Sequence, residues 1–410
     1  MIKVFELSSH APPVEVVERK GLGHPDTLAD AIAERASALY SKYFFNTFEG
    51  RFAHHWFDKV VLIGGESRLE YGRGDLIKPY EVIVIGKGVR RVGSHEVPVQ
   101  EIFKQAATSV FEETLEGFNP DIHLVVTDRV VDYKGPGQQK SRYRPQSADE
   151  LFCLGNSPQR SNDCNLCVSY WPLSPLEDLV LRLEGFLNST EFKQRMLGSA
   201  GSDIKIVGDR VGEVIRVLIN FPFIANKVAD WEDYISKVKM VETQAREFAL
   251  KECGIQLAEL TVNPERAQGR PYLTALGSVA DTGDIGVVGR GNRINGLITP
   301  TRPMSIEAWA GKNPIDHTGK LYTFLCAEIA KSVYETTGLP NQVILTSSKE
   351  AAVDRPDLVS IGLMGDGKVT EALENAVHKI VWDKLGRVAE VTLACIFGDS
   401  NPLSRKLLAA

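Results

Sequence analysis

Cysteine is scarce: six residues in 410, at positions 153, 164, 167, 253, 326 and 395. So thin a set fits reduced thiols and excludes a disulfide-held scaffold. The one close pair, Cys164-Asn165-Leu166-Cys167, has no second CxxC and no HxxxH to complete a zinc site. No window approaches the roughly 18 apolar residues that a bilayer demands, and the opening MIKVFELSSH lacks the basic-then-apolar order of a signal peptide. The chain reads as cytoplasmic. Its basic residues are dispersed and its formal net charge is -6, so neither nucleic acid nor an anionic membrane is offered a surface. A small anionic ligand would have to be held locally.

What is present is the composition of a globular protein, 43% hydrophobic and 24% charged. At this length several core-forming units are expected, because single cores stop growing at roughly 250 to 300 residues. After Pro25, the spacing of Leu28, Ile32, Ala36, Leu39, Tyr40 and Tyr43 predicts an amphipathic helix to about Phe44. Further helices are expected over 99–115, 174–197, 230–252, 319–337 and 370–385. Strands are expected over 59–65, 80–85, 122–126, within 203–219, and over 342–345 and 390–397. The stretch 132–149 reads as a long loop. Blocks of both kinds without a regular βαβ beat predict an α+β fold of several similar layers.

Three constellations carry chemistry. Gly21-Leu22-Gly23-His24-Pro25-Asp26 stands at the start of the first helix, where free N–H groups and the helix dipole favour an anion. Asp26, Asp30 and Glu34 follow at i, i+4 and i+8, near one helical face, and suit a hard cation such as magnesium. They would equally suit a capped, solvated helix. His24 fits a general acid, a donor to a leaving oxygen, or a structural histidine. The second constellation, 281–293, has glycines at 283, 286, 289 and 291 with Asp284, Arg290 and Arg293. It matches neither GxGxxG nor GxxxxGK[ST], and a glycine-rich hairpin with surface arginines is its plain alternative. The cationic stretch that follows, through Arg302, Lys312 and Lys320, favours a polyphosphate site. The third, Gly201-Ser202-Asp203-Ile204-Lys205, puts a carboxylate and an ammonium on one side of a strand, or merely makes an exposed ion pair.

Together GLGHPDTLADAIAE at 21–34, GSDIK at 201–205 and GDIGVVGRGNRINGLITPTRPMSIEAWAGKNP at 283–314 resemble the archaeal-type S-adenosylmethionine synthetases. The likeness runs along nearly the whole chain. It implies three similar α+β layers about a pseudo-threefold axis, with approximate units 1–150, 151–275 and 276–410, interleaved. It implies a homodimer with active sites at the interface, binding ATP and methionine with Mg²⁺, two ions of it, and with K⁺ as a further cofactor. The implied reaction is attack of methionine sulfur on C5′ of ATP, followed by triphosphate hydrolysis.

The resemblance also implies roles. His24, Lys205, Arg290 and Lys312 match the residues beside the leaving oxygen and triphosphate, and Asp26 and Asp30 match the magnesium positions. Gly135, Pro136 and Gly137 match the nucleotide loop, with Asp149, Asp203 and Asp284 as further nucleotide-side positions. Glu66 and Asp163 match acids that hold methionine's amino group, and Asp316 is a candidate for the second magnesium. This chain departs from the pattern by an insertion at 138–145 and an altered 164–170 segment, and it has Thr27 and Ile285 where relatives carry lysine and an acid. Two rival readings use the same residues. One is a relative acting on another thioether or nucleotide, the other a non-catalytic nucleotide-binding or regulatory homologue.

Overall fold

The computed structural model describes residues 1–8, 12–133, 141–156, 158–365 and 368–398. Gly135, Pro136 and Gly137 lie outside the described residues. Among the described residues, three four-stranded mixed sheets and several two-stranded ribbons organise the fold. The first runs Leu124–Val131, Tyr80–Gly88, His55–Ile63, Ile285–Val287. The second runs Glu259–Val262, Val214–Asn220, Lys205–Val211, Val14–Lys20, and the third Ile2–Leu7, Leu358–Met364, Asn341–Ser347, Asn165–Trp171. In each sheet, read in that order, the first pair of strands is parallel and the next two pairs are antiparallel. Each sheet also takes in a strand remote in sequence from the others, so none is built from one continuous stretch of chain.

Alternation explains the sheets. Along the second strand of the first sheet, Tyr80, Val82 and Val84 are buried while Glu81, Ile83 and Ile85 turn to the other face. Two helices cover the inner face of each sheet: Pro25–Thr47 and Val99–Thr114 on the first, Pro175–Leu187 and Trp231–Cys253 on the second, and Thr318–Thr337 and Glu371–Gly386 on the third. Val99, Ile102, Phe103, Ala106, Ala107 and Val110 show the three-and-four spacing that seats such a helix. One core joins the first and third sheets, and a second lies under the second sheet.

The predicted strand at 390–397 is instead a helix, Val388–Phe397, with Val388, Val391, Thr392, Cys395 and Ile396 buried. Its β-branched residues suggest a strand, but the buried set repeats at three and four. The helix predicted over 174–197 breaks at Asn188, and Ser189 caps a new one, Thr190–Arg195. Within the CxxC pair, Cys164 is exposed and Cys167 buried on a strand, both free.

Candidate active site

The first helix begins at a bend that gathers charge. Pro25 occupies its first turn and His24 caps it, accepting the Asp26 N–H through Nδ1 at 3.2 Å. Nδ1 is thus the acceptor, and Nε2 carries the proton. Burial first, then Lys20, lowers the His24 pKa to about 4, so the imidazole is neutral near pH 7 and acts as an N–H donor rather than as a cation. Asp26 is buried; its Oδ1 accepts from Val287 N at 2.9 Å and its Oδ2 from Lys20 Nζ at 2.8 Å. Lys20 also reaches the carbonyl of Arg290 at 2.7 Å. Lys205 stands on the adjoining strand, 3.2 Å from Glu18, and Arg290 lies nearby, close enough to bear on His24. His24, Asp26, Lys205 and Arg290 therefore come together. Lys20 and Glu18 join them unforeseen, although a lysine directly before Gly21 was the available signal.

The other two carboxylates of the helix face have a different job. Asp30 Oδ1 accepts from Gly289 N at 2.8 Å, and Glu34 is bound by Lys320 at 2.6 and 2.8 Å and by Gly311 N at 3.1 Å. Burial pushes Asp30 up to about 7 despite its backbone donors. Asp30 and Glu34 fasten the glycine-rich segments to the helix from inside, rather than standing open to a cation. The glycines permit this approach: a Cβ at Gly286 would lie 1.9 Å from the Pro25 carbonyl oxygen, and one at Gly291 2.2 Å from an Asp30 oxygen.

Asp203 is likewise interior, accepting Val279 N at 2.9 Å, and Asp281 behind it accepts from Tyr80 and from Leu276 N. Burial raises Asp203 to about 7 and Asp281 to about 6. A carboxyl whose folded pKa lies above its ordinary value contributes stability that is complete below about pH 4 and lost as pH rises through 7. Asp203→Asn is accordingly expected to be more stable than the parent at pH 8, by on the order of a few kcal/mol, and to show a flatter stability–pH curve. Urea unfolding at pH 5 and pH 8 checks this; parallel curves for parent and variant would remove the explanation.

Lys312 belongs to a second locus. It is buried between Glu307 at 2.5 Å and Asp58 at 3.6 Å, with Lys59 2.7 Å from the same Asp58. His317 caps the following helix beside them, and burial first, then Lys312, lowers its pKa to about 4. Asp316 is held by the amides of Asn162 and Asn313 at 3.0 Å each and faces His54 Nδ1 at 2.9 Å. That leaves it engaged within the protein. Asp163 is exposed next to this network, and Asp149 is exposed 3.4 Å from Arg51. Glu66 and Asp284 sit at the opposite end of strand His55–Ile63, the first paired with Lys78 and the second accepting Ile285 N at 2.9 Å. At about 3.3 Å per residue that strand separates the two ends by about 26 Å.

The whole chain has relatives of the same design. The S-adenosylmethionine synthetase (AdoMet synthetase) family model matches residues 2–399. The S-adenosylmethionine synthase of Pyrobaculum aerophilum is 36% identical over 399 residues, 94% of this chain and 95% of that one. That of Caldivirga maquilingensis is 36% identical over 402 residues, 95% of each. A solved structure described as an unusual S-adenosylmethionine synthetase from Campylobacter jejuni matches with a TM-score of 0.57 over 97% of this chain and 98% of that one. At 14% identity, that likeness speaks for the fold. Full-length agreement in sequence, with the motifs gathered at one helix start, means that the chain belongs to the S-adenosylmethionine synthetase family, in its archaeal type.

Proposed function

We propose that this chain makes S-adenosylmethionine by attack of methionine sulfur on C5′ of ATP, with the C5′–O bond breaking and the triphosphate leaving with the electron pair, then being hydrolysed to pyrophosphate and phosphate. The observation that carries this reading is the convergence of Lys20, Lys205, Arg290 and a neutral His24 around Asp26 at a helix start. A strongly anionic leaving group needs fixed positive charge and donors already in place. The His24 Nε2–H serves as donor to the leaving oxygen, and Lys205 and Arg290 take up the developing charge.

Magnesium fits the residues present, because it retains waters and substrate phosphates and asks the protein for only one or two carboxylates. Asp26 supplies one. Asp58 Oδ1 is buried without a hydrogen-bond partner among the described residues, an acceptor left for a second cation near Lys312. When bound, magnesium neutralises the triphosphate; Asp30 holds the loop that carries Arg290.

The shared pairing order of the three sheets supports three interleaved repeats about a pseudo-threefold axis. The outer face of the first sheet supports a homodimer: Ile63, Ile85, Val125 and Ile285 are 36%, 41%, 47% and 53% exposed there. Glu66 and Asp163, both assigned to methionine's amino group, are too far apart to meet in one chain. Two copies packed face to face about a two-fold axis bring Glu66 of one toward Asp163 of the other. Mixing an inactive Glu66→Gln chain with an inactive Asp163→Asn chain is then expected to restore about a quarter of parental activity, since half the dimers are mixed and half their sites intact. No recovery after subunit exchange would rule out shared sites.

The direct test is mass spectrometry of products from ATP, methionine, Mg²⁺ and K⁺. S-adenosylmethionine, pyrophosphate and phosphate should appear together and cease on chelation. ATP binding without products would favour the regulatory homologue, and turnover only with other thioethers the changed-substrate relative.

A further inference from the structure

Side chains five residues apart on a continuous helix point about 140° away from each other and do not meet at one spot. The break at Asn188 lifts that limit, and Asn188 and Lys193 both reach Ser202. Asn188 Nδ2 donates to its carbonyl at 3.1 Å, and Lys193 Nζ to its Oγ at 2.7 Å. Ser202 is buried, and its Oγ donates in turn, at 2.6 Å, to the carbonyl of Thr114 at the end of the helix Val99–Thr114. The Ser202 carbonyl also accepts Gly23 N–H at 3.0 Å, while the Gly277 carbonyl accepts the N–H groups of Ser202 at 3.0 Å and Asp203 at 3.1 Å. Ser278 Oγ closes the ring by donating to the Gly23 carbonyl at 2.6 Å. The turns are pressed together: a Cβ at Gly21 would lie 2.6 Å from the Ile204 carbonyl oxygen, and one at Gly23 2.8 Å from the Asp203 nitrogen. Ser202 is therefore the junction of three segments: the turn that carries His24, the turn that leads into Lys205, and the stretch before Asp281.

Lys193 is the charged group at this junction, and stability does not account for it. Burial lowers its pKa, with Glu184 and Glu116 opposing. Among the described residues, the one hydrogen bond of its ammonium goes to the Ser202 hydroxyl. A cation drawn out of water for a single hydroxyl is poorly compensated. What the ammonium does achieve is geometric. By donating to Ser202 Oγ it takes up an acceptor position there, which leaves the hydroxyl proton directed at Thr114 and fixes the side chain between two helices. Lys205 opens its strand three residues further on, paired across the sheet with Lys20.

We propose that Lys193 is a positioning residue for the transfer reaction: by fixing Ser202 it holds the Lys205 turn against the His24 turn, so that the Lys205 ammonium and the His24 N–H address the same leaving oxygen. This deepens the function proposed above and rests on it. A misplacement of about 1 Å at a reacting centre can cost roughly 100-fold in rate. The test is a double-mutant cycle of Lys193→Met and Lys205→Ala, read in kcat, with thermal unfolding of every variant. Lys193→Met alone should lower kcat by about 10-fold or more while the KM values for ATP and methionine stay within a few-fold of parental. In the Lys205→Ala background the same change should cost no more than about 2-fold, because there is no longer an ammonium to misplace. Lys193→Arg restores a charged donor and should keep kcat within a few-fold of parental. Ser202→Ala should reproduce Lys193→Met, and takes its place in the cycle if that variant does not fold. An equal loss of kcat in both backgrounds, or near-parental kcat in a folded Lys193→Met, overturns the assignment. A parent enzyme that forms no S-adenosylmethionine, or a Lys205→Ala that turns over normally, fails the reading on which this rests; an active parent with an additive cycle fails this inference alone.

Discussion

Lys205→Ala should leave a folded protein that turns over roughly 100-fold or more slowly, the usual size of a lost transition-state charge contact. Lys205 opens its strand, with a side chain one-third exposed, so its loss empties no core. Its partner Glu18 lies on the neighbouring strand and is itself accessible to water, so it is not stranded as a buried charge. The whole effect should therefore fall on the reaction. Lys205 and Arg290 both bear on the His24 imidazole, which places them where a leaving oxygen received by His24 would meet their charge. If the lysine acts only on triphosphate in the transition state, kcat falls and the KM for ATP moves little. Steady-state kinetics with a thermal unfolding control decide the matter. Near-parental turnover in a folded variant would remove Lys205 from the site.

The elements legible in the sequence are those with a strong period. The first helix is readable from its apolar spacing after Pro25, and it ends one turn later than predicted, at Thr47. Strands Ile2–Leu7, Val14–Lys20 and Leu358–Met364 escape the pattern, because sheets assembled from distant segments leave no local signature of their partners. What the sequence makes legible of the candidate site is the set His24, Asp26, Lys205 and Arg290, which the fold brings together at one helix start. The sequence misleads where the same types serve packing. Asp26, Asp30 and Glu34 share a helical face, but only tertiary contact shows that Asp30 and Glu34 are met by Gly289, Gly311 and Lys320. The separation of Glu66 from Asp163 is equally invisible in the sequence, since both carry motif-like surroundings and only the strand between them sets their distance.

Lys320→Ala should be the most destabilising of these changes, costing about 3 to 5 kcal/mol. Lys320 is completely buried, and its ammonium makes two hydrogen bonds to Glu34, which is 3% exposed. Removing the lysine leaves a carboxylate in the core with Gly311 N–H as its remaining donor. That single donor does not offset desolvation of a full charge. The sequence sets this lysine in a cationic stretch facing polyphosphate; its burial assigns it to the joint between the first helix and the helix Thr318–Thr337. The pair itself need not be stabilising. A paired replacement, Glu34→Gln with Lys320→Met, removes both charges and should recover a large part of the loss, although the new side-chain amide would still have to satisfy Gly311 N–H. Denaturant unfolding of the single and double variants gives the coupling. Additive losses would mean that the two charges do not depend on each other, and that the joint is held by the surrounding apolar contacts alone.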